Sequence, residues 1–75
     1  MKKEIQKMCS DWDGSDEEFI KIITLVKDWI SYKNLAVEFE VAESTVSRWS
    51  IGITFPLPRM QKQIIKYIQS ILDNN

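Results

Sequence analysis

The stretch at residues 31–50, SYKNLAVEFEVAESTVSRWS, decides the fold. Ser31 has a side chain suited to capping a helix N-terminus, and it precedes a predicted helix over YKNLAVEF. A second helix is predicted from about Glu43 to Ser50, after about three connecting residues. Two short helices joined this closely predict a helix-turn-helix unit over residues 31–50.

Apolar residues at helical spacing indicate which side of each helix is buried. Leu35 and Phe39 lie one turn apart on the first helix, and Val41 fills the angle between the two helices. Val46 and Trp49 lie nearly one turn apart on the second helix, so Trp49 is predicted to pack in the core rather than to stack on bases. The side chains left facing outward are Glu43, Ser44, Ser47 and Arg48.

A longer helix is predicted upstream, from about residue 16 to residue 30. Ser15, followed three residues later by Glu18, is typical of a capping box with reciprocal side-chain and backbone hydrogen bonds. Ile20 and Leu25 widen the apolar stripe of this helix, either as further core residues or as a contact with a second subunit. The stripe itself is predicted to contain Phe19, Ile22, Ile23, Val26, Trp29 and Ile30.

The helical spacing of apolar residues is weak at the N-terminal end of the chain and strong at the C-terminal end. Residues 1–14 have little periodicity and are predicted to form an N-terminal arm or one short helix, ahead of a domain over residues 15–75. Gly52, Pro56 and Pro58 break the helical pattern, and Pro58 then suits the first turn of a last helix reaching about Leu72. The apolar face of that helix is predicted to contain Met60, Ile64, Tyr67, Ile68 and Ile71.

The composition argues against several classes of function. One cysteine and no histidine allow neither an internal disulfide nor a Cys/His metal site within one chain. The serines of STVSRW have no base at plausible reach, so we expect no enzyme activity, no catalytic residue, no metal and no cofactor. The apolar runs are short and interrupted by lysine, so we predict no membrane span or signal peptide and expect a cytoplasmic protein.

Charge is distributed unevenly along the chain, although the net charge is only −1. Residues 1–43 contain six lysines and ten acidic residues, for a net charge of −4. Residues 44–75 contain four basic residues and one acidic residue, for a net charge of +3. This polarity favours a small domain with one side that faces phosphates.

Residues 31–56 resemble the Cro/CI-like (Xre-type) helix-turn-helix DNA-binding domains of phage and bacterial transcription regulators. The similar features are the capping Ser31, the Leu-Ala pair, Val41, the run Ser-Thr-Val-Ser-Arg-Trp, Gly52 and Pro56. The resemblance implies an all-α, compact four- to five-helix bundle of lambda-repressor-like DNA-binding type. Glu40 departs from the family where glycine commonly permits a left-handed turn residue, at a cost on the order of 1 kcal/mol if that conformation is kept. Ala42 departs where a Ser or Thr often caps the recognition helix.

The resemblance also implies roles for individual residues. Glu43, Ser44 and Arg48 take base-reading positions, and arginine can form two parallel hydrogen bonds with guanine. Glu43 has an alternative role, because a carboxylate also stabilises a helix N-terminus. Thr45 and Ser47 take positions nearer the phosphates. Further predicted phosphate contacts are Lys33, Arg59 and Lys62, and the alternative for these three is that they are ordinary solvated charges.

We therefore expect a sequence-specific double-stranded DNA-binding regulator, a repressor or Cro-like switch, that places residues 43–50 in the major groove. A homodimer on a pseudo-palindromic operator is expected, with the last helix or the Ile20/Leu25 edge as its interface. The alternative function is a protein-interaction module with the same fold, an antitoxin-like or anti-repressor partner. The acidic first half and the surplus apolar residues are compatible with that alternative.

Overall fold

The computed structural model describes residues 2–74, which form five helices and no strand. This agrees with the predicted all-α bundle, whose backbone measures 27 × 23 × 19 Å along its principal axes. None of the helices within this range has the length and apolar character needed to cross a membrane. In chain order the helices are α1 (Lys2–Ser10), α2 (Asp16–Val26), α3 (Tyr32–Glu38), α4 (Glu43–Ser50) and α5 (Pro58–Asp73).

Serine side chains start two of the helices as the sequence predicts. Ser31 Oγ accepts the backbone N–H of Asn34 at 3.1 Å at the start of α3. Ser15 Oγ accepts the N–H of Glu18 at 3.3 Å at the start of α2, which confirms half of the predicted capping box. The reciprocal half is absent from the described contacts, because the Ser15 N–H donates to Asp13 Oδ1 at 2.9 Å instead. This backbone hydrogen bond holds the pKa of the Asp13 carboxyl below its usual value.

The prediction that α2 continues to about residue 30 is wrong, since the helix ends at Val26. The N–H groups of Trp29 and Ile30 both donate to the Val26 carbonyl at 2.9 Å, so the chain turns sharply there. This turn returns Ile30 to the core but leaves Trp29 37% exposed, outside the predicted buried stripe.

The core is one hydrophobic cluster to which all five helices contribute. Residues 2–10 form a helix, and its Ile5 and Cys9 are buried in that same cluster. Trp49 is 3% exposed and meets Phe19 edge to face, with ring centroids 6.2 Å apart, so its predicted place in the core is confirmed. Helix α2 packs on both α1 and α4, while α3 packs on α4 and α5 packs on α1.

Helix α5 begins at Pro58 as predicted and carries a buried polar residue that the apolar pattern did not reveal. Gln61 is 3% exposed, and its Nε2 donates to the Pro56 carbonyl at 3.1 Å and to Asp16 Oδ1 at 3.0 Å. These bonds join the loop before α5 to the first turn of α2. A sequence signal for this position exists, because Gln61 precedes Ile64 and Ile65 by three and four residues and so shares their face.

Candidate nucleic-acid interface

The connection between α3 and α4 sets where α4 begins. The N–H of Val41 donates to the Ala36 carbonyl at 3.0 Å, and the N–H of Glu40 donates to the Val37 carbonyl at 3.4 Å. This pair of bonds is the Schellman motif that closes a helix C-terminus through a left-handed residue. Glu40 is that residue, with φ +56°, so the left-handed backbone expected at this position is present without glycine.

Helix α4 has one buried and one exposed face, as its apolar spacing predicts. Val46 is fully buried and Trp49 is nearly so. Ser44, Ser47 and Arg48 are exposed, and their spacing of three and four residues places them on the same side of the helix. We call these three residues together with Glu43 the outward face of α4.

Glu43 lies at the first turn of α4, where backbone N–H groups lack intrahelical partners. Ala42 occupies the N-cap position and supplies no side-chain hydrogen bond, so the predicted absence of a cap there is confirmed. The exposed Glu43 carboxylate is thus close to the positive end of the helix dipole. This position suits helix stabilisation and also leaves the carboxylate accessible to a ligand, so both roles predicted for Glu43 stay open.

The predicted phosphate-contacting residues belong to three helices. Lys33 is exposed on α3, which packs directly on α4. On α4 itself Ser47 is exposed and Thr45 is half-buried. Arg59 and Lys62 are exposed on α5, which packs mainly on α1, so the helix contacts do not bring them onto the outward face of α4.

The exposed cations near α4 are not neutralised by intramolecular ion pairs. Within residues 2–74, the one ion pair joins Lys21 Nζ to Glu18 Oε1 at 3.4 Å on α2. Arg48 and Lys33 therefore keep their charges available to an external anion. By contrast, an open groove of about 490 Å³ beside α1 has a largely acidic lining that does not suit phosphate: Glu4, Asp11, Asp13 and Glu18, with Lys7 and Met8.

The loop between α4 and α5 presents a feature that sequence reasoning missed. Ile51, Ile53, Phe55 and Leu57 are all exposed large apolar residues, and we call them the apolar loop surface. Their signal in the sequence is the recurrence of a large apolar side chain at every second position of IGITFPL. The helix-breaking Gly52, Pro56 and Pro58 in the same segment predict only a loop.

No group of three or more potential His, Cys, Asp or Glu ligands that could hold a metal ion occurs in the described part of the chain. Burial raises the pKa of the Cys9 thiol to about 11, which keeps it protonated and unreactive at neutral pH. The outward face of α4 presents carboxylate, hydroxyl and guanidinium groups to solvent.

Comparison of the chain with protein-family models, with curated proteins and with solved structures finds no match.

Proposed function

We propose that this chain is a sequence-specific double-stranded DNA-binding transcriptional regulator of the Cro/CI-like type, a repressor or Cro-like switch. The observation that carries the proposal is that α4 has one buried face and one exposed face. Val46 and Trp49 anchor the helix in the core, while Ser44, Ser47 and Arg48 stand exposed on one side of it. An α-helix of this kind fits the major groove of B-form DNA, where base edges are accessible.

Arg48 is the central base-reading residue in this proposal. Its guanidinium is exposed and has no carboxylate partner among the described residues, so it is available to bond the O6 and N7 atoms of a guanine. Ser44 lies one turn earlier and accepts or donates to several bases. Glu43 either accepts from a cytosine amino group or supports the helix N-terminus.

Phosphate contacts position the helix in the groove without reading sequence. Thr45 and Ser47 flank the base-reading residues on α4, and Lys33 lies on the adjoining α3. Arg59 and Lys62 extend the basic second half of the chain on α5. A recognition helix of this length reads few base pairs, so we propose a homodimer on a pseudo-palindromic operator with half-sites roughly 34 Å apart.

The test is selection of a binding site from random duplexes, followed by affinity measurements on the Arg48→Ala variant. We expect Arg48→Ala to weaken binding to the selected duplex by about 1–3 kcal/mol and to relax the preference at one base position. The matched control is Lys3→Ala, which removes an exposed cation from α1. If the control weakens binding as much as Arg48→Ala does, the effect is one of net charge and the base-reading role is wrong.

Salt dependence separates DNA binding from the alternative of a protein-interaction module. Each phosphate contact should contribute a slope of about −0.9 to a plot of log affinity against log salt concentration. The alternative is favoured by the apolar loop surface, which has the composition of a protein contact rather than of a phosphate contact. If the chain selects no duplex even at low salt, DNA binding is wrong and the protein-interaction module is the remaining proposal.

A further inference from the structure

We propose that the apolar loop surface is the contact through which two copies of this chain associate. This inference names the surface that would form the homodimer of the proposed function. It rests on the proposed function only for what the dimer does, because association can be measured without DNA. The starting observation is that four large apolar side chains of this loop are exposed to solvent. The side chains of Ile51, Ile53 and Leu57 are 67%, 65% and 77% exposed, and that of Phe55 is 39% exposed, although all four are large and apolar.

The area is the first argument for a second copy. At roughly 150–200 Å² for a large apolar side chain, these fractions amount to roughly 400 Å² per chain. This exposed apolar area, within one short loop, is comparable to the largest apolar patch of a typical small protein, which is often functional. Two such surfaces in contact, with the polar atoms around them, come to roughly 1,000 Å² in total, which is at the low end for specific interfaces. We therefore expect a reversible dimer rather than a permanent one.

The absence of charge is the second argument. Residues 49–58, WSIGITFPLP, contain no charged side chain, although charged residues make up 28% of the chain. In a two-fold contact the same surface meets itself, so a charge close to the axis lies near its own copy, and an uncharged surface avoids that repulsion. An uncharged apolar patch is self-complementary, whereas an acidic or basic partner would need opposite charges and DNA would need cations or polar donors.

Hydrogen bonds within the chain anchor both ends of the loop. At its start, the N–H groups of Gly52 and Ile53 donate to the Trp49 and Arg48 carbonyls at 3.2 and 3.1 Å. At its end, Pro56 is buried and its carbonyl accepts from Gln61 Nε2 at 3.1 Å. Because these bonds already restrict the loop at both ends, less conformational entropy is lost when its side chains are covered.

The surfaces predicted from the sequence for dimerisation are partly occupied within the chain. Ile20 Cδ1 lies 3.2 Å from the position a Cβ at Gly52 would take, so the loop lies over this edge of α2. Leu25, Tyr67 and Ile71 are packed against the core cluster.

The test uses sedimentation velocity over a concentration series, without DNA, on the whole chain and two variants. Ile53→Lys places a charge on the apolar loop surface, and Val37→Lys is its matched control, at a 71% exposed apolar residue on α3. Both lysines are added beside a helix C-terminus, where a cation is favourable, so neither should unfold the chain. Circular dichroism melting curves on both variants check that the fold is retained.

We expect the whole chain to dimerise, with Ile53→Lys raising the dimer dissociation constant about tenfold or more and Val37→Lys changing it less than about twofold. A chain that stays monomeric at every concentration, or two variants with equal effects, would overturn the inference. If Ile53→Lys remains dimeric and the chain still binds paired half-sites, this surface is wrong while the proposed function stands. If dimerisation fails only in Ile53→Lys but no duplex is selected, the surface stands and DNA binding is wrong.

Discussion

The ends of α3 and α4 have the same backbone hydrogen bonds but different residues at the left-handed position. After α3, Val41 and Glu40 donate to carbonyls five and three residues back, and after α4, Ile53 and Gly52 do the same. The backbone is left-handed at both sites, with φ +56° at Glu40 and +78° at Gly52. Glycine permits this conformation locally, whereas glutamate adopts it only because the surrounding structure requires it.

The surroundings that impose the conformation on Glu40 are the packed ends of α3 and α4. Val41, the next residue, packs against the core cluster, and Ala36 and Leu35 on the preceding helix are buried in it. Keeping these contacts requires the chain to reverse direction within four residues. The strain at Glu40 is thus balanced by burial on both sides of it, and the comparison predicts opposite effects of substitution at the two sites.

The largest expected effect is at Gly52. An alanine there adds strain from its positive φ, and its Cβ would lie 3.2 Å from Ile20 Cδ1. We expect Gly52→Ala to reduce the free energy of unfolding by about 2 kcal/mol, measured by urea denaturation. In an Ile20→Val background, which removes Cδ1, part of this loss should be recovered. A loss that is unchanged in that background would assign the whole cost to the backbone.

A smaller effect of opposite sign is expected at Glu40. Glycine relieves the left-handed strain, so Glu40→Gly should raise the free energy of unfolding by about 1 kcal/mol and the melting temperature by about 4–8 °C. The control is Glu40→Ala, which removes the carboxylate but keeps the Cβ and hence the strain. A melting temperature that stays level or falls in Glu40→Gly would contradict the strain at residue 40, and an equal gain in both variants would assign the effect to charge.

The sequence predicted the features that depend on neighbouring residues. The serine caps at residues 15 and 31 follow from short-range chemistry. The family resemblance marked residue 40 as a left-handed turn position but left open whether Glu40 keeps that conformation, which the structure shows that it does. Helical spacing likewise placed Val46 and Trp49 in the core and left Arg48 exposed.

The features that the sequence did not reveal depend on residues far apart in the chain. Gln61 is buried and bonds Asp16, which is 45 positions away. The end of α2 at Val26 is a local turn, but it returns Ile30 to a core that residues from all five helices build. The exposure of Ile53 and Leu57 depends on which other elements reach the loop, and no local pattern determines that. The base-reading roles of Glu43, Ser44 and Arg48 stay predictions.

The smallest expected effect concerns the N-terminal ends of the same two helices. Ser31 and Ala42 have nearly the same N-cap backbone, with φ and ψ of −70° and 153° at Ser31 and −72° and 148° at Ala42. A serine at residue 42 can therefore accept a backbone N–H of α4 as Ser31 accepts that of Asn34. We expect Ala42→Ser to raise the free energy of unfolding by about 0.5 kcal/mol in urea denaturation.

The reverse substitution at the capped helix gives the matched comparison for Ala42→Ser. Ser31→Ala removes an observed cap from α3 and should lower the free energy of unfolding by about 1 kcal/mol. If the Glu43 carboxylate stabilises the N-terminus of α4, the gain at residue 42 is the smaller of the two. In the double variant Ala42→Ser with Glu43→Gln, the gain from the serine should then increase. An unchanged gain would show that Glu43 contributes nothing measurable to the helix end.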